Sequence, residues 1–303
     1  MVVVGEGADS RWSVVSWNWY CSLGERVARQ LDAVFVRLEH KVFPDGEVYV
    51  RVPTDLREEV LIVYGLAAPQ NQRLVELLIA VDAVQGAGAR AVYAVIPYLA
   101  YARQDRRVLP GEPISVLAVL KALHAVGVSE VFVLEPHNPR VIGRAGFPVH
   151  AVSAAPAVAA FLRKEGWEDA FILAPDEGAL DRARQVAAAL HTQAGALKKH
   201  RDPHTGKISV RWTDLPIKGR RVVVVDDIVS TGGTMARAIQ MALQHGAKEV
   251  AAVGVHWIGG SNAVRRLLDA GATFVAASES MKHPLSKCIQ IDEVLASAVR
   301  SRI

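Results

Sequence analysis

The sequence predicts an α/β protein of two domains, each a mostly parallel sheet flanked by helices. Short apolar strands alternate with amphipathic helices along the chain, a pattern typical of βαβ units. A length of 303 residues also suits two hydrophobic cores better than one. Residues 88–98, 127–137 and 246–256 share a leading Gly and a following strand, which favours duplicated halves, although ordinary βα connections also produce such short echoes. We place the domains at residues 1–148 and 149–303.

The composition is that of an ordinary globular protein, with 51% hydrophobic and 22% charged residues. A net charge of +4 is small for this length and says little about nucleic acid, because anionic phosphate substrates explain a mild basic excess equally well. There is neither a basic run nor an RNA-binding signature, so we expect no nucleic acid. Cys21 and Cys288 are far apart and suggest neither a zinc site nor a disulfide. With no disulfide framework, a reducing cytoplasm is the expected location. No apolar run approaches the ~20 residues of a membrane span, so we expect no membrane partner.

Hydrophobic periodicity defines the elements of the first domain. We predict strands at 1–4, 34–38, 60–64, 91–97 and 131–134, and helices at 25–31, 71–87 and 114–126. An aromatic patch, Trp12, Trp17, Trp19 and Tyr20, lies between the first two strands. It is interpreted as local core or as a contact with another subunit.

The same periodicity continues through the second domain. We predict strands at 149–152, 171–173, 222–225, 249–256 and 273–277, and helices at 156–164, 180–190, 262–268 and 292–299. Whether the last helix packs back on the first domain is left open. The basic segment Leu197–Lys207 is either a plain charged hairpin, which this segment alone favours, or a flap whose cations close over a polyphosphate.

The segment RVVVVDDIVSTGGTMARA, residues 221–238, organises the predicted site. Its β-branched run predicts a buried parallel strand, followed by Asp226 and Asp227 and by a turn, Ser230, Thr231, Gly232, Gly233 and Thr234, that opens a helix. Backbone N–H groups in such a turn can hold a phosphate. The acids cannot bind that phosphate but can bind sugar hydroxyls, so the pattern indicates a sugar phosphate.

Other polar segments also follow predicted strands, where ligands of open α/β sheets collect. Arg103, Gln104, Asp105, Arg106 and Arg107 follow one strand, and planar guanidinium groups suit phosphate oxygens. Glu135, His137 and Asp176 follow two others and favour a Mg²⁺ site. The Pro-Asp-Gly turn at 44–46 places the ring of Phe43 where it can stack on a base, although alone it is an ordinary hairpin.

Five segments of the sequence, in their order along the chain, together resemble one protein family. They are FPDGE (43–47), AVIPYLAYARQDRRVLPGEPIS (94–115), APDEGALDRA (174–183), KHR (199–201) and VVDDIVSTGGT (224–234). In this order they resemble the ribose-phosphate pyrophosphokinase family, especially its archaeal forms. Phosphoribosyltransferases share only the last segment.

The resemblance implies two phosphoribosyltransferase-like domains, an ATP side followed by a ribose 5-phosphate side. It implies transfer of the diphosphoryl group of ATP to the 1-hydroxyl of ribose 5-phosphate, giving 5-phosphoribosyl 1-diphosphate (PRPP) and AMP. The cofactor would be Mg²⁺. The 43–47 loop would reach a neighbouring subunit in a homo-oligomer that is at least a dimer, with tetramer and hexamer open.

Roles carried over by position are also expectations. The resemblance implies catalytic cations at Lys199 and Arg201, and metal ligands at His137, Asp176 and Glu135. It implies ATP binding by Phe43, Asp45, Gly46, Glu47, Arg103, Gln104, Asp105, Arg106 and His137. It implies ribose 5-phosphate binding by Arg201, Asp226, Asp227, Ser230, Thr231, Gly232, Gly233 and Thr234.

Some positions depart from the family pattern, and two alternative functions stay open. Glu135 replaces a usual Asp, Ala179 replaces a usual Gly, and residues 9–21 match no recognised part of the family. The chain could be a non-catalytic relative that regulates an active synthetase, although it keeps the expected catalytic residues. A phosphoribosyltransferase would need a base-binding element that the sequence does not show.

Overall fold

The protein is described here from a computed structural model. It covers residues 3–4, 10–201, 208–211, 215–285 and 287–302, with only the backbone at 3–4, 199–201 and 208–211. The chain divides into two compact units, unit 1 with residues 1–153 and 291–303, and unit 2 with residues 154–290. Of the helices within the described ranges, none is both long and apolar enough to cross a bilayer.

Unit 1 is built on a seven-stranded sheet with a separate two-stranded hairpin. The strands are β1 (Val3–Val4), β2 (Trp12–Ser16), β3 (Val34–Arg37), β4 (Glu39–Val42), β5 (Val48–Arg51), β6 (Glu59–Val63), β7 (Ala91–Ile96), β8 (Val128–Leu134) and β9 (Val149–Val152). The sheet order is β1-β3-β2-β6-β7-β8-β9, and every pair is parallel except β1 with β3. The antiparallel hairpin consists of β4 and β5.

Helices connect the parallel strands of unit 1, as right-handed crossover units require. They are α1 (Cys21–Gln30), α2 (Gln70–Gly86), α3 (Ser115–Ala125) and the short α4 (Pro139–Ile142). Apolar positions on α2 and α3, such as Leu77 and Leu120, are fully buried against the sheet. The predicted helices at 71–87 and 114–126 are therefore confirmed to within one residue at each end.

Only part of the aromatic patch at the start of the chain is core, because Trp12 is half-buried and Trp19 is 45% exposed. Residues 12–16 form β2, an interior strand that the sequence did not predict, and they pair with both β3 and β6. Trp17 and Tyr20 are each 1% exposed, and the Trp17 ring stacks on Tyr64 with centroids 3.7 Å apart. Bulky aromatic residues obscured the strand pattern, because the burial of Trp17 and Tyr20 comes from tertiary packing that periodicity does not report.

Unit 2 contains a six-stranded parallel sheet and a second hairpin. The strands are β10 (Phe171–Ala174), β11 (Ala194–Ala196), β12 (Lys198–Arg201), β13 (Ile208–Arg211), β14 (Arg221–Val229), β15 (Glu249–Trp257), β16 (Ala272–Ser278) and β17 (Lys287–Ile289). The sheet order is β11-β10-β14-β15-β16-β17, with all neighbours parallel. The helices are α5 (Ala155–Lys164), α6 (Leu180–Leu190), α7 (Gly233–Gln244) and α8 (Ser261–Asp269).

The buried core of unit 2 forms around β14 and α7. Val222 and Val224 on the strand pack with Met235, Ile239 and other buried apolar residues of the helix and its neighbours. Four consecutive valines, residues 222–225, are fully buried, as expected for an interior parallel strand. This packing fixes the end of β14 and the start of α7, between which the predicted phosphate turn lies.

The last helix, α9 (Asp292–Arg300), belongs to unit 1. It packs on α1, where the guanidinium of Arg26 donates to Asp292 at 3.1 Å, and it buries Leu295 and Val299. The strand β9 also belongs to unit 1, because it pairs with β8. The division between the units therefore falls after β9.

The two sheets confirm the predicted fold class, an α/β protein with two mostly parallel sheets flanked by helices. One strand boundary differs in a way that matters for the site. The sequence placed the end of the strand before Asp226, whereas β14 continues to Val229 and pairs Asp226 with Gly254 and Ile228 with His256 of β15. The two acids therefore lie within the sheet.

Candidate functional site

Two carboxylates lie side by side near the end of β14. The Asp226 and Asp227 side chains are 21% and 11% exposed, and the Asp227 N–H donates to the Asp226 carboxylate at 2.9 Å. Arg182 of α6 approaches both acids, with guanidinium nitrogens 3.6 Å from Asp226 and 3.7 Å from Asp227. The Arg182 guanidinium therefore partly compensates the negative charge of these two largely buried acids.

The environment of this pair changes its protonation. Burial raises the pKa of the Asp226 carboxyl to about 7, the negative charge of Asp227 adds to the rise, and Arg182 opposes it. Two close carboxylates share protons as a pair, so we attribute the titration near neutrality to the pair. Near neutral pH, a bound ligand can therefore change how much of the pair is protonated.

The turn after β14 leads directly into the N-terminus of α7. Gly232 adopts a left-handed conformation, with φ of +74°, and α7 begins at Gly233. Thr231, Gly233 and Thr234 are exposed, so the N-terminal turn of α7 is open to solvent. Free N–H groups and the positive end of the helix dipole together suit an anion such as a phosphate.

The segment after β15 supports this turn from one side. The Val229 carbonyl accepts from the N–H groups of Ile258, at 2.9 Å, and Gly259, at 3.0 Å. A Cβ on Gly259 would lie 2.1 Å from the Ser230 carbonyl oxygen, so a side chain larger than hydrogen does not fit there. Arg266 of α8 donates to the Thr231 carbonyl at 2.9 Å.

In unit 1, the predicted adenine-binding turn closes the β4–β5 hairpin. The Phe43 N–H donates to the Glu47 carbonyl at 2.8 Å, and the Glu47 N–H donates to the Asp45 carboxylate at 3.0 Å. Gly46 has a φ of +94°, which explains the glycine at this position. Phe43 is 38% exposed, with its ring near Tyr49 and Lys41, so one part of it is open to stack on a ligand.

Two strand-end loops of unit 1 are joined directly. The Asn138 amide donates to the Asp105 carboxylate at 2.6 Å, linking the loop after β8 to the loop after β7. The Ser115 hydroxyl donates to Gln104, while Arg103 and Arg106 are exposed. The structure thus brings the predicted arginine-rich run close to the loop that carries His137.

The predicted metal ligands lie at strand ends without a local cluster. Glu135 has a φ of +40°, unusual for a residue with a side chain, and its N–H donates to the Val152 carbonyl. His137 is exposed, and the Asp176 carboxylate accepts from the Gly178 N–H at 2.9 Å. Across the described part of the chain, no group of three or more His, Cys, Asp or Glu residues forms a metal site on its own.

The predicted catalytic cations Lys199 and Arg201 lie in β12. The backbone of this strand pairs Lys199 with Val210 and Arg201 with Ile208 of β13. Their side chains lie outside the described residues, as does the rest of the basic segment at 202–207.

Sequence reasoning missed two arginines near the site, Arg182 and Arg266. A signal for Arg182 was present, because a cation in the first turn of a helix opposes the helix dipole and therefore needs an acidic partner. No comparable signal marks Arg266, because its partner is a backbone carbonyl distant in sequence.

Comparisons with known proteins match most of the chain to two family models. Residues 12–127 match a family model described as the N-terminal domain of ribose phosphate pyrophosphokinase, and residues 151–283 match the phosphoribosyl transferase domain. The first match begins at residue 12, so it includes most of the aromatic segment that the sequence analysis left unassigned.

Curated relatives and a solved structure match over almost the whole chain. A ribose-phosphate pyrophosphokinase of Saccharolobus solfataricus is 38% identical over 96% of this chain and 97% of its own length. One of Methanopyrus kandleri is 37% identical over 92% of this chain and 95% of its own length. The crystal structure of phosphoribosylpyrophosphate synthetase from Mycobacterium smegmatis superposes with a TM-score of 0.81 at 26% identity, covering 96% of this chain and 98% of that chain.

Proposed function

The chain belongs to the ribose-phosphate pyrophosphokinase family, and from this premise we propose which of its residues hold each substrate. Its reaction is the formation of PRPP and AMP from ribose 5-phosphate and ATP. The observation that carries the assignment of residues is the carboxylate pair on β14 beside the open turn of α7.

Ribose 5-phosphate binds to unit 2 in this proposal. Ionised Asp226 and Asp227 accept hydrogen bonds from the ribose hydroxyls, and charge-assisted bonds of this type are short and strong. The 5-phosphate binds at Ser230 to Thr234, where it receives backbone N–H groups and the helix dipole. Arg182 holds the two carboxylates in place and opposes the rise that burial and Asp227 cause in the pKa of Asp226.

ATP binds to unit 1 in this proposal. The exposed ring of Phe43 stacks on adenine, and Asp45, Gly46 and Glu47 shape the turn that presents it. Arg103 and Arg106 bind the phosphate groups, while the bonds of Gln104 to Ser115 and of Asp105 to Asn138 hold that loop in place. Guanidinium groups match phosphate oxygens in pairs, which suits a polyphosphate.

Mg²⁺ is the cofactor that this arrangement favours. The ion is usually held by one or two protein ligands together with substrate phosphates and water. A chain whose described residues form no three-ligand cluster fits that mode of binding. We propose Mg²⁺ ligands at His137 and Glu135, which follow β8 in unit 1, and at Asp176, which follows β10 in unit 2. When bound, the ion neutralises charge on the transferring group.

The transfer step itself needs positioning and charge stabilisation more than covalent chemistry. The 1-hydroxyl oxygen of ribose 5-phosphate attacks the β-phosphorus of ATP and its proton is released to water. The bond between the β-phosphorus and the oxygen of the α-phosphate breaks, and AMP leaves with that oxygen. Lys199 and Arg201 are assigned to stabilise the negative charge on the transferring group.

We also propose that the protein is a homo-oligomer, at least a dimer, located in the cytoplasm. The hairpin of unit 1 exposes Val42, Phe43 and Tyr49, which are 46%, 38% and 40% exposed. Apolar side chains clustered on the surface of one hairpin favour contact with a second subunit.

The experiment that tests the activity is a stoichiometric assay. Purified protein is incubated with ATP, Mg²⁺ and ribose 5-phosphate, and AMP and PRPP are measured separately. We expect equal amounts of both products and none when ribose 5-phosphate is omitted. A non-catalytic relative would form neither product, and a phosphoribosyltransferase would consume PRPP with a nucleobase instead.

A further inference from the structure

Three consecutive carbonyl groups of the phosphate turn point toward one segment, residues 258–266. The Val229 carbonyl accepts from the Ile258 and Gly259 N–H groups. The Ser230 carbonyl oxygen lies against Gly259, only 2.1 Å from the position of a Cβ there. The Thr231 carbonyl accepts from the Arg266 guanidinium at 2.9 Å.

The direction of these carbonyls determines the direction of the neighbouring N–H groups. In a trans peptide the C=O of one residue and the N–H of the next point to opposite sides. Because the Ser230 and Thr231 carbonyls face the 258–266 segment, the N–H groups of Thr231 and Gly232 face away from it. Successive N–H groups on one side of a turn form a concave site for an anion.

Arg266 is the charged member of this support. It is exposed, and in the described part of the chain its guanidinium makes no ion pair and no hydrogen bond besides the one to Thr231. Arg182, in contrast, contacts two carboxylates. Leu267, the next residue, is fully buried and would lie 3.4 Å from a Cβ on Gly232, so α8 holds Arg266 in a fixed place beside the turn.

We infer that Arg266 is a positioning residue for the 5-phosphate of ribose 5-phosphate, acting through the Thr231 carbonyl. The hydrogen bond from Arg266 turns the Thr231 carbonyl oxygen away from the anion site, because a carbonyl oxygen facing the phosphate would repel it. The same orientation of the peptide points the Gly232 N–H at the phosphate. This inference rests on the proposed binding of the 5-phosphate at Ser230 to Thr234.

The test compares Arg266→Met with Arg266→Lys and with a matched control, Arg265→Met. Arg265 is exposed on the same helix and loses the same charge when replaced. Losing a hydrogen bond from a charged group should raise the KM for ribose 5-phosphate about tenfold in Arg266→Met, with kcat and the KM for ATP within about twofold of the parent values. Lysine should restore part of the loss, and Arg265→Met should behave like the parent.

Binding of ribose 5-phosphate, measured by calorimetry without ATP, gives a second readout that does not depend on turnover. If the parent protein forms no PRPP, the proposed function fails before the variants are compared. Equal KM values for ribose 5-phosphate in Arg266→Met and Arg265→Met would overturn the inference. It would also be overturned if the KM values for both substrates rose together, because that result indicates general distortion.

Discussion

The two units hold their proposed ligands in different ways. In unit 2, the proposed phosphate site is a main-chain turn whose carbonyls face residues 258–266. The two carboxylates proposed to bind the ribose lie on the interior strand β14. In unit 1, the proposed ATP-binding groups are mostly exposed side chains on a hairpin and on strand-end loops. Changes to the main-chain turn or to the strand carboxylates of unit 2 should therefore affect stability and binding together, whereas changes to exposed side chains should affect function alone.

The largest effect should come from a side chain with a purely chemical role. Lys199→Ala should lower kcat by a factor of about 10² to 10³, because removing one preorganised donor to the transition state costs that much. Binding of ribose 5-phosphate should weaken far less. Steady-state kinetics with both substrates check this, with Lys198→Ala on the same strand as the control. Near-normal turnover of Lys199→Ala would rule out its assigned role.

A change to the main-chain turn should combine two effects. Gly232→Ala places a Cβ on a residue with φ of +74°, within 3.4 Å of Ala263 and Leu267. We expect a loss of roughly 1–2 kcal/mol in the free energy of unfolding and a rise of about tenfold in the KM for ribose 5-phosphate. Urea unfolding and kinetics measure the two effects.

Gly166→Ala is a suitable control for that variant. Gly166 has nearly the same φ, +72°, but a Cβ there would meet nothing within 4 Å. The control should lose a similar amount of stability from its backbone conformation alone, and its KM should stay unchanged. If both variants shifted the KM equally, the turn would not be the phosphate site.

An exposed side chain of unit 1 should separate function from stability. Arg103→Gln should raise the KM for ATP by roughly fivefold, since it removes one charged contact to phosphate, and should leave the melting temperature unchanged. Arg90→Gln, an exposed arginine at the opposite end of β7, is the control. A lowered melting temperature in Arg103→Gln would show that the loop is structural, which would weaken the contrast between the units.

The smallest effect concerns the pH dependence of stability. The pKa of Asp226 is about 7 in the folded protein and 3.8 in its ordinary state, so the folded state retains a proton that the unfolded chain releases between these values. Stability from this group is present below about pH 4 and is lost as the pH rises through 7.

Asp226→Asn, which stays neutral, should therefore melt a few degrees higher than the parent at pH 8, roughly 2–6 °C. The difference should shrink toward pH 5. Thermal unfolding across this range tests the prediction, with the exposed Asp269→Asn as the control. A difference that does not change with pH would contradict the assigned titration.

Sequence reasoning found what local patterns encode and missed what depends on distant contacts. The helices at 71–87 and 180–190 were predictable because their apolar residues repeat with helical spacing. β2 was missed because its aromatic neighbours made the segment look irregular. Asp226 was expected after the strand rather than within it. The backbone pairing with β15 and the charge of Arg182 stabilise Asp226 within the strand, and both are remote in sequence.

The placement of α9 has a consequence for the synthesis of the protein. A ribosome finishes all of residues 154–290 before the helix that covers α1 exists, so unit 1 stays incomplete while unit 2 can already fold. Until residues 291–302 emerge, the apolar surface of α1 that α9 buries is open to other newly made chains.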